Sequence, residues 1–243
     1  SWMPAGVADL VYRDFDPHVT SLAIDPNAPA TVYLASNNGV FSSTSGGAAW
    51  SRLTPPASLS FPRVVAIEPG GIAVWAGGFN GVARSTDGGA TWTLPTDGFN
   101  RRVLSLAFDP AFAQTVYAGT DGTGVWKSSN AGATWVEVND DGGTGWVRTG
   151  RIAALAVDPA HPGTVYAGVD GRAVWKTTDG GGSWPNVAPG LIDPATLTYA
   201  TPTALAFDPH DPSALYLTVG NSLFASFGGG LAGVYRTTNG GAS

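Results

Sequence analysis

Three features of the sequence predict an all-β fold: one strand-and-turn pattern recurs five times, glycine-rich corners closed by tryptophan end its units, and no segment has a helical period. Short β-branched and aromatic runs repeating every roughly 40 to 60 residues narrow this to a β-propeller of four-stranded antiparallel blades. Of the 243 residues 34 are Gly and 18 Pro, which is turn-rich, while 43% hydrophobic and 11% aromatic residues supply a core and exclude a disordered chain.

Each repeat opens with an apolar run ending in Asp-Pro: Leu22-Ala23-Ile24-Asp25-Pro26, Leu106-Ala107-Phe108-Asp109-Pro110, Leu155-Ala156-Val157-Asp158-Pro159 and Leu205-Ala206-Phe207-Asp208-Pro209. The second copy is degenerate, Val65-Ala66-Ile67-Glu68-Pro69. A second run follows, as in Thr31-Val32-Tyr33-Leu34-Ala35, Thr115-Val116-Tyr117-Ala118-Gly119 and Thr164-Val165-Tyr166-Ala167-Gly168, and then a third, as in Gly39-Val40-Phe41, Gly124-Val125-Trp126 and Gly233-Val234-Tyr235. Such runs favour strands, and the Pro that follows the first one ends its ladder.

The unit closes on a glycine corner, best seen in Ser85-Thr86-Asp87-Gly88-Gly89-Ala90-Thr91-Trp92 and Thr177-Thr178-Asp179-Gly180-Gly181-Gly182-Ser183-Trp184. Ser45, Asp87, Asn130, Asp179 and Asn239 hold the equivalent position, so successive corners lie 42, 43, 49 and 60 residues apart. The side-chain oxygen there is expected to accept backbone N–H bonds across the turn, with the glycines supplying positive φ. Trp50, Trp92, Trp135 and Trp184 are expected to cover apolar surface between neighbouring sheets. The spacing puts blades at roughly 19–54, 63–95, 103–138, 151–187 and 203–243 of a single domain spanning 1–243, with 1–17 completing a neighbouring or closing blade. Two arrangements satisfy it: a closed five-bladed ring, in which Trp2 lies in the outer strand of the fifth blade, or part of a larger propeller.

Composition excludes several functions. The net charge is −6 and Lys127 and Lys176 are the sole lysines, which argues against a phosphate-binding surface and hence against nucleic acid. The absence of Cys excludes disulfides, thiolate metal sites and a cysteine nucleophile. No run of 18 apolar residues provides a membrane-spanning helix. His18, His161 and His210 belong to separate repeats, and Asp121, Asp140 and Asp141 lack a calcium-loop spacing, so no metal and no cofactor is expected. A surface of Ser, Thr, Asn and Gly with 12% charged residues suits an extracellular or periplasmic protein; any targeting segment is expected outside the sequence or removed.

In an antiparallel blade the first-to-second and third-to-fourth turns share one end, where the repeated corners, including Asp25, Asp109, Asp158 and Asp208, read as turn-capping oxygens. The other end gathers the irregular loops, where binding is expected. They include Pro55–Pro62, the linker with Asp97, Arg101 and Arg102, the segment from Asn139 through Trp146 to Arg148, and Pro185–Pro202 with Tyr199. The candidate binding residues are therefore Trp146, Arg148, Arg101, Arg102 and Tyr199. Trp146, in a Gly/Asp-rich loop, is the best single candidate as a platform for a sugar ring or a partner chain.

The corners resemble the Asp-box, or bacterial neuraminidase repeat, S-x-D-x-G-x-T-W: three successive units match it well and two more loosely, over most of the chain. The resemblance implies three functional readings. Sialidases use an arginine triad, a Tyr–Glu pair and an acid Asp, whereas Glu68 and Glu137 are the only glutamates here and both fall on structural positions. The xyloglucan-cleaving glycoside hydrolases share the Asp-Pro, Val-Tyr-Ala-Gly and Gly-Val-Trp runs and use two opposed Asp residues. Thr120-Asp121-Gly122-Thr123-Gly124-Val125-Trp126-Lys127 approximates their acid segment, and Val169-Asp170-Gly171-Arg172 does so more weakly, making Asp121 and Asp170 the residues such an enzyme would use. These enzymes close a groove between two propellers, and one is present here. The third reading follows the photosystem II stability/assembly factor family and the secreted bacterial proteins that share its repeat, with the sortilin receptors more remote. It implies a non-catalytic scaffold with a basic patch, for which Arg101, Arg102, Arg148 and Arg151 are the candidates. The expected function is thus a protein- or glycan-binding propeller, alone or in a larger assembly, with a xyloglucanase-type hydrolase as the alternative.

Overall fold

The computed structural model describes residues 18–71, 73–140, 142–187, 201–220 and 232–241. Two compact units divide the chain, Ser1–Leu106 with Gly132–Thr134, and Ala107–Ala131 with Trp135–Ser243. In the first unit β1 (Val19–Ile24), β2 (Val32–Ser36), β3 (Gly39–Ser43) and β4 (Ser51–Arg52) form one sheet in chain order, and β5 (Val64–Ile67), β6 (Val74–Gly78) and β7 (Gly81–Ser85) form another. The boundary passes through β8 (Val103–Phe108), which belongs to a sheet with β9 (Val116–Thr120), β10 (Val125–Ser128) and β11 (Val136–Glu137). The second unit continues with a helical turn, α1 (Trp146–Thr149). Two more sheets follow it, β12 (Ile152–Val157), β13 (Val165–Val169) and β14 (Ala173–Thr177), then β15 (Thr201–Phe207), β16 (Leu215–Gly220) and β17 (Gly233–Thr237).

The second run of each repeat forms the most buried strand: every residue of β6, β9 and β13 is buried. In the first unit Tyr33, Ala35, Val40, Val65, Val74 and Ala76 pack into a core with Leu53 and Trp92 at its margin. In the second, Tyr117, Val125, Ile152, Val165 and Trp175 surround the fully buried Trp184. On β1, Ala23 faces the core while Leu22 and Ile24, on the opposite face of the strand, remain exposed.

The Asp-Pro turns share one hydrogen-bond scheme. Asp25, Asp109, Asp158 and Asp208 each accept through Oδ1 from the amide two residues on, at 2.8, 2.9, 2.8 and 2.8 Å. The side chain thereby satisfies a backbone donor that the Pro-terminated ladder leaves unpaired.

A second device repeats across the sheets. The aromatic residue of the second strand lies directly opposite a cation on the third in four sheets: Trp75 and Arg84, Tyr117 and Lys127, Tyr166 and Lys176, Tyr216 and Arg236. The cations sit 5.1 to 5.9 Å from the ring centroids. In three of these pairs, and at Tyr33 of the first sheet, the second-strand aromatic or its cation meets the glycine corner of the next repeat. Lys127 Nζ donates to Gly180 O at 3.4 Å, Tyr33 Oη to Gly88 O at 3.5 Å, and Trp75 leaves no room for a Cβ at Gly132.

Among the described residues two sheets have the four strands expected and three have three. Where the second and fourth sheets would carry an outer strand, a single bridge remains, Arg84↔Thr93 and Trp175↔Asn186. Proline is the physical reason: Pro185 immediately precedes the bridged Asn186 and lacks an amide to donate, and Pro95 stops pairing two residues past Thr93. Among the described residues the sheets are open, and none closes on itself.

Candidate functional site

The corner residues form local hydrogen-bond cages. Asp87 Oδ1 accepts from Ser85 Oγ at 2.7 Å and from Thr91 N at 2.8 Å, and Asp179 Oδ1 accepts from Thr177 Oγ1 at 2.6 Å and Ser183 N at 3.0 Å. These bonds, the Thr91 and Thr177 hydroxyls foremost, hold both carboxyls down at about 2. Ser45 Oγ accepts from Ala49 N at 3.0 Å, and Asn130 and Asn239 accept from Ser128 and Thr237 hydroxyls at 2.9 and 2.7 Å. Two consecutive positive φ angles, 74° and 97° at Gly88 and Gly89, turn the chain so that the amides converge on the acid. The closing tryptophans are used differently: Trp184 Nε1 donates to Val138 O at 2.7 Å, Trp92 Nε1 to Gly89 O at 3.0 Å, Trp135 is buried, and half-buried Trp50 packs on Leu34 and Phe41.

In the second unit the loop from Asn139 to Arg148 is built on one amide. Buried Asn139 accepts from Val125 N at 2.6 Å and donates to Thr123 O at 3.2 Å, pinning the loop to the start of β10. Gly142, Gly143 and Gly145, all at positive φ, then carry the chain into α1. Trp146 therefore opens a helical turn, where the sequence predicts an irregular loop: Thr149 N donates to Gly145 O at 3.0 Å, and Thr149 Oγ1 to the same carbonyl at 2.7 Å. Glu137, Asn139, Asp140, Gly143, Gly145 and Arg148 line a cavity of about 410 Å³. Arg148, 69% exposed, spans its mouth to Glu137 at 3.1 Å.

Asp121 and Asp170, the hydrolase candidates, converge on one side chain. Arg151 Nη1 lies 3.3 Å from Asp170 Oδ2, and its Nε 3.9 Å from Asp121 Oδ1. Backbone bonds tie the same three positions, Asp170 N to Arg151 O at 2.9 Å and a bridge between Asp121 and Arg151. Arg151 is thus the residue that joins these loops, whereas the sequence reading places it in a basic patch. Its signal was its position at the entry to β12, opposite both second-to-third-strand loops.

In the first unit Arg102 lies with its guanidinium 4.1 Å from the Phe79 ring centroid, and Phe61 meets the same ring at 5.2 Å. Arg101, the preceding residue, is exposed. Phe61 and Phe79 escape the sequence reading because they lie in separate loops; Phe79 is betrayed only by its place after Gly77-Gly78. Glu68 is buried and paired with Arg84 Nε at 2.7 Å. Tyr199 lies outside the described residues, as does the placement of the Trp146 side chain. Among the described residues no group of three acidic, His or Cys side chains could hold a metal ion, and no helix is long and apolar enough to cross a membrane.

Sheets that follow one another in chain order, capped alike at one end and irregular at the other, define a propeller-type repeat protein. No family model and no curated protein matches the sequence. Among solved structures, an ancestral GH74 enzyme is similar at a TM-score of 0.68 and 27% identity, over 83% of this chain and 27% of its own. The GH74 xyloglucanase from Xanthomonas campestris gives 0.68 and 22%, over 92% of this chain and 37% of its own. YCF48, solved bound to D1 peptide, gives 0.61 and 17%, over 95% and 67%. The chain therefore spans 27 to 37% of the length of the first two structures, and its fold is a β-propeller of their style.

Proposed function

We propose that the five repeats form one propeller domain that is non-catalytic, extracellular or periplasmic, and binds a protein or polysaccharide through its variable loops, alone or in a larger assembly. The Asp-box resemblance of the corners fits a structural role for Ser45, Asp87, Asn130, Asp179 and Asn239, whose oxygens are spent on the turns themselves. The observation that carries the binding reading is the loop from Asn139 to Arg148. It is anchored by a buried amide and opens a cavity of about 410 Å³ lined by polar side chains and glycines, with an exposed guanidinium among them. A preformed concavity with a few fixed polar groups is the usual form of a ligand site. Propellers of this style include a peptide binder and xyloglucan-cleaving enzymes, so either ligand class suits the fold.

The hydrolase alternative places its chemistry on Asp121 and Asp170. Inverting hydrolysis sets one carboxyl on each side of a sugar ring with room for a water between. Here both carboxylates are turned onto Arg151, where they fasten neighbouring loops. Trp146→Ala and Arg148→Ala are expected to leave the melting temperature unchanged and to weaken binding on glycan and peptide arrays about tenfold each, the loss of an aromatic contact in the first and of a charge-assisted one in the second. Release of reducing sugar from β-glucan by the wild type, abolished in Asp121→Asn, would instead establish the enzyme.

A further inference from the structure

We propose that Phe61, Phe79, Arg101 and Arg102 form a binding platform for an acidic glycan, a chain carrying uronic-acid sugars. The inference rests on the reading of the variable loops as the binding end and gives a ligand class to loops other than 139–148.

Phe61 is held where an aromatic residue does not go unaided. Its φ is +47°, in the left-handed region that favours glycine, and the residue is 57% exposed. The ring contact with Phe79 still leaves more than half of the residue exposed, so side-chain packing gives little reason for that conformation. The neighbouring chain imposes it: Phe79 N donates to Ser60 O at 2.9 Å and Asn80 Nδ2 to Ser60 Oγ at 3.3 Å. A Cβ at Gly78 would lie 2.7 Å from Ser60 O and 3.3 Å from the Pro62 Cα, so the bare glycine is what lets residues 60–62 lie flat across the end of β6. Backbone strain sustained to present an exposed side chain points to function.

The presented groups have a definite chemistry. Phe61 and Phe79 meet at 58° between ring planes, and the Arg102 guanidinium stacks on Phe79. Both touching one ring, the guanidinium and the Phe61 ring stand within reach of a disaccharide. An exposed aromatic plane suits the C–H face of a pyranose, a guanidinium fork matches a carboxylate, and exposed Asn80 offers an amide to hydroxyls. A guanidinium carries five donors, so a partner within the protein still leaves donors for a ligand. A peptide anchor gains its energy by filling a desolvated pocket, and Phe61 stands on a corner instead. On a chain of net charge −6, two adjacent arginines mark a local point of attraction for an anion.

Calorimetric titration with hexagalacturonate, cellohexaose and an acidic Phe-containing peptide tests the proposal. Wild type is expected to bind hexagalacturonate, more weakly as salt rises. Phe61→Gly removes the ring and accepts the positive φ without strain, so its melting temperature should hold or rise while uronate binding falls about tenfold or more. Arg101→Gln should weaken binding and flatten its salt dependence. Unchanged uronate binding by Phe61→Gly, or equal affinity for cellohexaose, overturns the platform. Binding of the peptide but not the uronate overturns the ligand class and leaves the binding module standing. Failure to bind all three, alongside array hits lost in Arg148→Ala, overturns this platform alone; failure on the arrays as well overturns both readings.

Discussion

At Glu68 the first-strand turn carries a residue one methylene longer than the aspartate of the other repeats, and the added reach changes its role. Asp25 and its equivalents cap their own turns, whereas Glu68 extends into the blade to accept from Trp75 Nε1 at 2.8 Å and from Arg84 Nε and Nη2 at 2.7 and 3.1 Å. It is 3% exposed, so truncation strands the Trp75 N–H and the Arg84 charge in a poorly hydrated place. Glu68→Ala is expected to cost about 3 kcal/mol in urea unfolding, the low end for a buried pair because Arg84 keeps some contact with water. Glu68→Asp should recover little, since the shorter acid returns to the capping geometry. The sequence marks Glu68 as a departure from its repeat. It cannot mark the partner, because Arg84 is 16 residues away and becomes a neighbour only through the β6–β7 register that sets it opposite Trp75.

At the scale of the element, the glycine corners and the aromatic–cation pairs that abut them account for how one repeat seats the next. Gly122, in the β9–β10 loop, and Gly132, in a corner, separate the two demands on a positive-φ glycine. Their φ angles are alike, +86° and +82°, but a Cβ at Gly122 would meet nothing within 4 Å while one at Gly132 would overlap the Trp75 ring. Gly122→Ala should therefore cost only the left-handed backbone penalty, about 1 to 2 kcal/mol. Gly132→Ala should cost that and about 1 to 3 kcal/mol more for overpacking. Equal losses in denaturant melts would remove the steric part of the argument. Strands and corners are legible in the sequence because each rests on local chemistry, Val-Tyr runs, Asp-Pro and Gly-Gly. The pairs are half legible: a cation follows the apolar residues of the third strand in Arg84, Lys127, Lys176 and Arg236, but its target aromatic is fixed by cross-strand register. The outer strands are the least legible, since Pro95 and Pro185 decide their length by withholding single amides. Of the proposed site, the loop from Asn139 to Arg148 is marked in the sequence by its irregular, glycine-rich composition. The Phe61–Phe79–Arg102 contact, and the fastening of Asp121 and Asp170 by Arg151, depend on loops meeting in space.

For the whole molecule, charge and the corner aspartates act on stability in the same pH range and can be told apart. Asp87 and Asp179 titrate at about 2 in the folded protein, against about 4 in an open chain. Because the folded state holds these carboxyls ionised, the stability they confer is present in full above about pH 4 and disappears as pH falls through about 2. Over the same interval the net charge reverses: the sequence is −6 at neutral pH with a pI near 4.8, and at pH 2 its 12 Lys and Arg and three His leave it strongly positive. Self-repulsion then destabilises any compact form whatever its corners do. Acid unfolding of the wild type alone therefore assigns nothing, and the informative quantity is a difference. Asp87→Asn/Asp179→Asn keeps one acceptor oxygen at each corner and removes the charge that the surrounding donors favour. The double variant should melt below the wild type at pH 7, the gap should narrow from about pH 4, and the two should melt together near pH 2 as the wild-type carboxyls take up protons. Circular-dichroism melts across that range read the gap directly. A gap independent of pH would mean that the corners hold by shape and backbone conformation, with the carboxylate charge contributing nothing to the fold.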